Sequence, residues 1–145
     1  AGTPGISDPG NQLLELAIKE LKDNVKIAPI PGASALTAAV SISGFSMDKF
    51  VFMGFPPVKK RRSRFFEEVI NSKYPVIFYE SPYRIIKSLK ELSSLRTEEL
   101  SSLELVVCRE LTKKFETIYR GTAVEIIKTL ERERIRGEFA VIVKK

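Results

Sequence analysis

Pro75-Val76-Ile77-Phe78-Tyr79-Glu80-Ser81-Pro82-Tyr83-Arg84-Ile85-Ile86 is the stretch that decides the fold class. Val76 to Tyr79 is a short apolar run rich in β-branched and aromatic side chains, the composition of a buried strand. Ser81-Pro82 then offers a helix cap followed by a proline suited to a first turn. Ile85, Ile86, Leu89 and Leu92 recur at helical spacing behind it. A strand that passes within a few residues into a helix is the unit from which α/β layers are built.

The alternation continues outward from this stretch. Upstream, Phe50-Val51-Phe52-Met53 reads as a strand, and Phe65, Phe66, Val69 and Ile70 mark a helix in which both phenylalanines belong to the core. Downstream, Leu103 to Val107, Glu116 to Arg120 and Phe139 to Val143 read as strands. Thr122-x-x-Glu125 is a capping box ahead of Ile126, Ile127 and Leu130, and Gly137 closes that segment. The connection from Cys108 to Glu116 has no crossover helix, so its flanking strands are expected to be antiparallel and the sheet mixed. Nearer the start, Asp8-Pro9 heads a helix carrying Leu13, Leu14, Ala17, Ile18 and Leu21. Val25 to Ala28 is a short strand candidate, stopped by Pro29, Pro31 and Gly32. Ser34 heads a second helix, apolar nearly all round up to Gly44 and therefore expected to be buried. A seam at Met47-Asp48-Lys49 separates two expected domains, residues 1–48 and 49–145.

Composition narrows the chemistry. The 145 residues carry 24 Lys+Arg against 18 Asp+Glu, a formal charge of +6. The 43% apolar content is that of a globular chain, which excludes disorder as the overall description. There is no histidine, which removes His-based triads, imidazole relays and His-metal sites. One cysteine, Cys108, rules out an internal disulfide and, with no histidine, a structural zinc site. No tight Asp/Glu cluster advertises another metal, so none is expected. A lone thiol fits a reducing, cytoplasmic setting. No membrane-length apolar run and no signal-peptide pattern is present. The chain opens in a glycine-rich loop with no strand before it, which reads as a chain beginning mid-domain or as a processed N-terminus.

Five segments carry candidate chemistry. Gly2-Thr3-Pro4-Gly5 is a loop leading to a helix, suited to an anionic group or simply a tight turn, and the pattern alone favours the turn. Pro31-Gly32-Ala33-Ser34-Ala35 lets a flat ligand approach the backbone, and reads equally as a packed helix start. Lys59, Lys60, Arg61, Arg62 and Arg64 put five cations in six residues, which suits RNA phosphates or a solvated face. Tyr79 to Arg84 lies at a strand end, where α/β sheets gather ligands. The polar run Arg109 to Thr117 is a site loop or a surface connection.

Taken in order, AGTPGISDPG (1–10), PIPGASAL (29–36), SGF with FVFMGFPP and the basic run (43–64), FYESPYRI (78–85), CRELTKKFET (108–117), RGT (120–122) and GEFAVIV (137–143) resemble the tetrapyrrole methylase superfamily, and within it the ribosomal RNA small-subunit methyltransferase I family. The resemblance spans the chain. It implies a partial N-terminal α/β domain plus a C-terminal domain with a mixed sheet flanked by helices, S-adenosylmethionine held in a cleft between two domains, and methylation of the 2′-hydroxyl of a cytidine ribose in the RNA of the small ribosomal subunit. It assigns cofactor contacts to Gly2, Thr3, Pro4, Pro31, Gly32, Ala33, Ser34, Ala35 and Tyr79. The family has a further N-terminal stretch, and Tyr83 stands where relatives often carry His.

A ribose hydroxyl attacks a sulfonium methyl in line and is helped by a general base. Without histidine, the local candidates are Glu80, Glu110 and Lys113, with Lys113 acting either neutral as a base or protonated on an oxygen or phosphate. A tetrapyrrole methylase and a non-catalytic RNA-binding module are the alternatives. Apolar helix faces in residues 1–48 favour self-association, so a homodimer is expected, and the 145-residue chain alone is expected to transfer no methyl groups.

Overall fold

The computed structural model describes residues 2–95 and 103–145, in two compact units, Ala1–Ser34 and Ala35–Lys145. The division falls earlier in the chain than the seam visible in the sequence at residues 47–49.

The first unit contains helix α1, Asn11–Leu21, ending in a single 3-10 turn, Lys22–Asn24. The helix starts two residues after Pro9 because Asp8 folds back, its Oδ1 accepting from the Gly10 N–H at 2.7 Å. None of its residues is buried, and Leu13, Leu14, Leu16, Ile18 and Leu21 are all exposed. Val25 to Ala28, expected as a strand, forms none. No described strand lies in this unit to receive its hydrogen bonds, and a strand without a partner is not one.

The second unit is built on a five-stranded sheet in the order β1-β2-β5-β3-β4. The strands are β1 (Val51–Phe52), β2 (Val76–Glu80), β3 (Glu104–Arg109), β4 (Thr117–Gly121) and β5 (Phe139–Lys144). β1 and β2 are parallel and every other pair is antiparallel, so the sheet is mixed. Strand alternation sends Val76, Phe78, Leu105, Val107 and Val141 to one face and Ile77, Val106, Cys108, Ala140 and Ile142 to the other.

Three helices supply the first face: α3 (Arg62–Asn71), α4 (Ile85–Ser94) and α5 (Ala123–Leu130). Phe65 and Phe66 belong to it, and the rings of Phe65, Phe66 and Phe78 meet edge to face, with centroids 5.3 to 6.0 Å apart. The Thr122 capping box of α5 is formed in both directions. On the opposite face lies α2 (Ala35–Ile42). It is buried only at Leu36 and Ala39, with Ala35, Thr37 and Ser41 exposed. The expectation of burial all round is thus corrected: a helix against a single sheet layer hides one stripe, however apolar the rest.

The register aligns the strand ends. Glu80 lies opposite Phe139, Phe139 opposite Arg109, and Arg109 opposite Thr117. Beyond β1, Tyr79 donates its N–H to the Gly54 carbonyl at 2.8 Å. The carboxyl ends of β1, β2 and β3 and the starts of β4 and β5 therefore share one sheet edge. Segments 54–61, 81–84, 110–116 and 131–138 all leave from that edge.

The two units give opposite responses to truncation. Phe78→Ala, at a fully buried site, should lower stability by about 3–5 kcal/mol. Leu16→Ala, at a residue 54% exposed, should stay within about 0.5 kcal/mol. Urea denaturation of the two variants against the parent chain measures both.

Candidate functional site

The sheet edge is organised by a buried carboxylate. Glu80, at the end of β2, is 1% exposed. Its Oε1 lies 3.0 Å from Arg84 Nε and accepts from the Ser81 N–H at 2.7 Å. Its Oε2 accepts from Ser88 Oγ at 2.6 Å and lies 3.8 Å from Arg62 Nη1. Arg62 in turn donates from Nη1 to the Pro57 carbonyl at 3.0 Å and from Nη2 to Ser88 Oγ at 2.8 Å. Its Nε lies 2.8 Å from Glu91 Oε2, a charge contact without hydrogen-bond alignment. The guanidinium also stands over the Phe66 ring, 5.0 Å from its centroid. Burial of this charge is tolerable because two carboxylates lie beside it and both of its Nη atoms donate hydrogen bonds.

Two expectations change here. Arg62, grouped by sequence with the RNA contacts, is 6% exposed, and its guanidinium is committed to Glu80, Glu91, Ser88 and Pro57. Position on the inner stripe of α3, beside Phe65 and Phe66, turned it inward. Glu80, proposed as a base, is already shared by two guanidiniums and two hydrogen-bond donors. Lys59, Lys60, Arg61 and Arg64 remain exposed, Arg64 pairing with Glu68 one turn on. Arg61 is held at φ 64°, a left-handed conformation uncommon for a non-glycine residue. The anchoring of Arg62 on Pro57 pins this turn and sets the directions of the cations that precede it.

At the end of β3, Arg109 donates from Nε to the Arg136 carbonyl at 2.8 Å and from Nη2 to the Arg134 carbonyl at 3.2 Å, and pairs with Glu133 at 3.1 Å. Glu133 also accepts from the Tyr119 hydroxyl at 2.7 Å. Glu110, at φ 50°, accepts from the Glu138 N–H at 2.8 Å and from Lys113 Nζ at 3.0 Å. Lys113 reaches Glu138 Oε2 as well, at 3.3 Å. The amide of Glu138 and then the Lys113 ammonium hold the Glu110 carboxyl below its ordinary range, while Glu110 and Glu138 push the Lys113 ammonium up. Glu110 and Lys113 are thus each fixed in the charged state, which suits a cationic contact by Lys113 and opposes proton acceptance by either group. Gly137 has no room for a side chain, since a Cβ would sit 2.3 Å from Glu110 Cγ.

Tyr79 lies on the α2 side of β2, half-buried, its ring 5.0 Å from Phe52 and 5.5 Å from Phe55. Burial raises its phenol, against a hydrogen bond with the Leu36 backbone. Cys108 is buried in the same layer, and burial pushes its thiol up to about 11, leaving it unreactive at neutral pH.

In the first unit, the two glycine segments meet. The Thr3 N–H donates to the Ala33 carbonyl at 3.0 Å. Thr3 Oγ1 lies 3.0 Å from both the Gly32 carbonyl and the Gly32 N–H, donating to one and accepting from the other. A Cβ on Gly32 would come within 3.1 Å of the Gly2 backbone, and one on Gly2 within 2.4 Å of the Ala33 carbonyl. Gly2, Thr3, Pro4, Pro31, Gly32 and Ala33 are all exposed at this double loop.

Residues that sequence reasoning passed over include Ser88, Glu91, Glu133 and Glu138. Ser88 had a readable signal: it interrupts the apolar stripe of Ile85, Leu89 and Leu92. The side-chain partners of Glu133 and Glu138 lie fourteen or more residues away in sequence, and no local pattern points to them.

The family model described as Tetrapyrrole (Corrin/Porphyrin) Methylases matches residues 1–127. The chain is 41% identical over 145 residues to a ribosomal RNA small subunit methyltransferase I of Halalkalibacterium halodurans, covering 99% of this chain and 48% of that protein. It is 39% identical to the Synechocystis protein of the same name, covering 99% and 50%. The chain spans about half the length of the curated relatives it matches. Among solved structures, the methyltransferase CobJ superimposes with a TM-score of 0.68 at 18% identity, covering 99% of this chain and 62% of that one. A uroporphyrin-III C-methyl transferase from Thermus thermophilus, complexed with S-adenyl homocysteine, gives 0.62 at 14%, covering 99% and 63%. At these identities the structural likeness establishes the fold.

Glu80→Gln should destabilise the chain by about 3–5 kcal/mol in urea denaturation, because two guanidiniums lose their buried counter-charge. Glu110 tests the exposed end. Its folded pKa is depressed, so its contribution is present above the unfolded value of ~4.3 and is lost as pH falls through the folded value. Glu110→Gln should therefore flatten the acid limb of a plot of urea midpoint against pH, whereas an unchanged limb would mean that the Lys113 and Glu138 contacts add no stability.

Proposed function

Because this chain belongs to the tetrapyrrole methylase family, we propose that it is part of an S-adenosylmethionine-dependent methyltransferase acting on the 2′-hydroxyl of a cytidine ribose in the RNA of the small ribosomal subunit. The carrying observation is the 41% identity to a ribosomal RNA small subunit methyltransferase I across 99% of the chain. Residues 1–48 belong in this reading to a cofactor-binding domain and residues 49–145 to a second domain. The protein works in the cytoplasm, as a homodimer.

The double loop of residues 2–4 and 31–33 fits an adenosyl group. Its residues are exposed and mostly small, and Thr3 Oγ1 ties its two segments together. Gly2, Thr3, Pro4, Pro31, Gly32, Ala33, Ser34, Ala35 and Tyr79 are the proposed cofactor contacts. The cofactor supplies an activated methyl group on a sulfonium. This chain's own residues bind and orient. Lys59, Lys60, Arg61 and Arg64 hold RNA phosphates. Lys113, kept protonated by Glu110 and Glu138, contacts a phosphate or the ribose oxygen. Glu80 acts from beneath, through Arg62 and Arg84.

A tetrapyrrole substrate is the second reading, supported by the folds of CobJ and the uroporphyrin-III enzyme. Transfer of labelled methyl to small ribosomal subunits, with a tetrapyrrole as the competing acceptor, separates the two. Label on the tetrapyrrole alone would overturn the RNA assignment. Assaying the 145-residue chain beside a relative-length protein tests whether the chain is inactive by itself.

Gly32→Val should weaken S-adenosylmethionine binding by tenfold or more in calorimetry, because the side chain drives the 2–3 and 32–33 segments apart. Replacing Lys59, Lys60 and Arg61 with Ala should lower the slope of log affinity against log salt by about 0.7 per lost contact on single-stranded RNA. An unaltered slope would make the run a solvated face.

A further inference from the structure

We propose that the outer stripe of α4, headed by Tyr83, is a docking strip for single-stranded RNA in which the Tyr83 ring stacks on a base and Lys87 and Lys90 hold phosphates. The proposal rests on the RNA reading above and extends it to a surface that reading does not use.

Tyr83 is 95% exposed, an unusual position for a large aromatic ring. It is no loose end. The turn that carries it is closed by Arg84, whose Nε lies 3.0 Å from Glu80 Oε1 and 3.2 Å from Ser81 Oγ. The ring is thus presented to solvent by a rigid support. Below it runs an open groove lined by Tyr83, Ile86, Lys87, Lys90, Glu91 and Ser94. These positions recur at three- and four-residue spacing, so they form one stripe along the helix. From the cap at Arg84 to Ser94 the stripe is about 15 Å long, room for about four stacked bases.

Charge sets the occupant. Lys87 and Lys90 are exposed, and their partners, Glu91 at 3.8 Å and Glu131 at 2.8 Å, lie in solvent-facing pairs of little strength. Glu91 is also 2.8 Å from Arg62, which cancels its charge at the groove. The same contact ties the start of α3 to α4. The stripe itself sets two exposed cations beside a presented ring. A positive track with an aromatic platform is the combination that single-stranded nucleic acid requires, since stacking needs an unpaired base face.

The test uses the 145-residue chain and fluorescence anisotropy with a short labelled single-stranded RNA, the same RNA as a duplex, and polyglutamate. Tyr83→Ala should weaken single-strand binding by about fivefold or more, with duplex binding little changed. Tyr83→Phe should bind like the parent. The Lys87→Ala/Lys90→Ala variant should lower the salt slope on single strands by about 1.4. Parent-like binding by Tyr83→Ala overturns the strip, as does equal loss in Tyr83→Phe, which would assign the hydroxyl instead of the ring. Tyr83-dependent binding of polyglutamate would assign an acidic protein and also overturn it. If the parent chain binds no RNA while its Lys59–Arg61 surface is intact, the RNA reading itself fails. If the parent binds and only Tyr83 proves silent, the strip alone fails.

Discussion

A carboxylate removed from water at the end of a strand organises this protein's working edge. Glu80 cannot be buried as a charge without cations beside it. Arg62 comes from α3, Arg84 from the turn before α4, and Ser88 from α4 itself. Satisfying one carboxylate thereby fixes the starts of two helices against the end of β2. The turn from Pro57 to Arg61, with Arg61 in a left-handed conformation, is a consequence of where Arg62 must go.

The same logic recurs on the far side of the edge with half-buried groups. Arg109 gathers the carbonyls of Arg134 and Arg136, and Glu110 gathers the Glu138 amide and Lys113. Gly137 permits this because a side chain there would occupy the space of the Glu110 carboxylate. Here the contacts are wet and individually weak, so their effect is orientation more than stability. Lys113 emerges as a fixed cation, which is the property an RNA-handling surface can use.

Local signals were legible wherever a neighbour in sequence was also the neighbour in space. The Thr122–Glu125 capping box is complete within four residues and formed as read. Phe65 and Phe66 sat on a helical stripe and joined the core. The antiparallel pairing of β3 and β4 followed from a connection too short to cross over. Failures came where the outcome depended on a distant partner. Val25 to Ala28 had strand composition but, among the described residues, no strand pairs with it. Arg62 looked like one more cation in a basic run, and α2 looked like a helix for a fully enclosed core.

The amino-acid order alone determined the α/β alternation, the mixed sheet, the family resemblance and the chemistry that an absence of histidine excludes, because these depend on residue type and on spacing along one chain. Tertiary structure decided which charges face water. Arg61 and Arg62 are adjacent and chemically identical, yet one is exposed at a strained turn and the other is buried beneath it. The difference is the position of Glu80, eighteen residues beyond Arg62 in sequence and within 3.8 Å of it in space. A charge follows its counter-charge, and only the folded chain specifies where that lies.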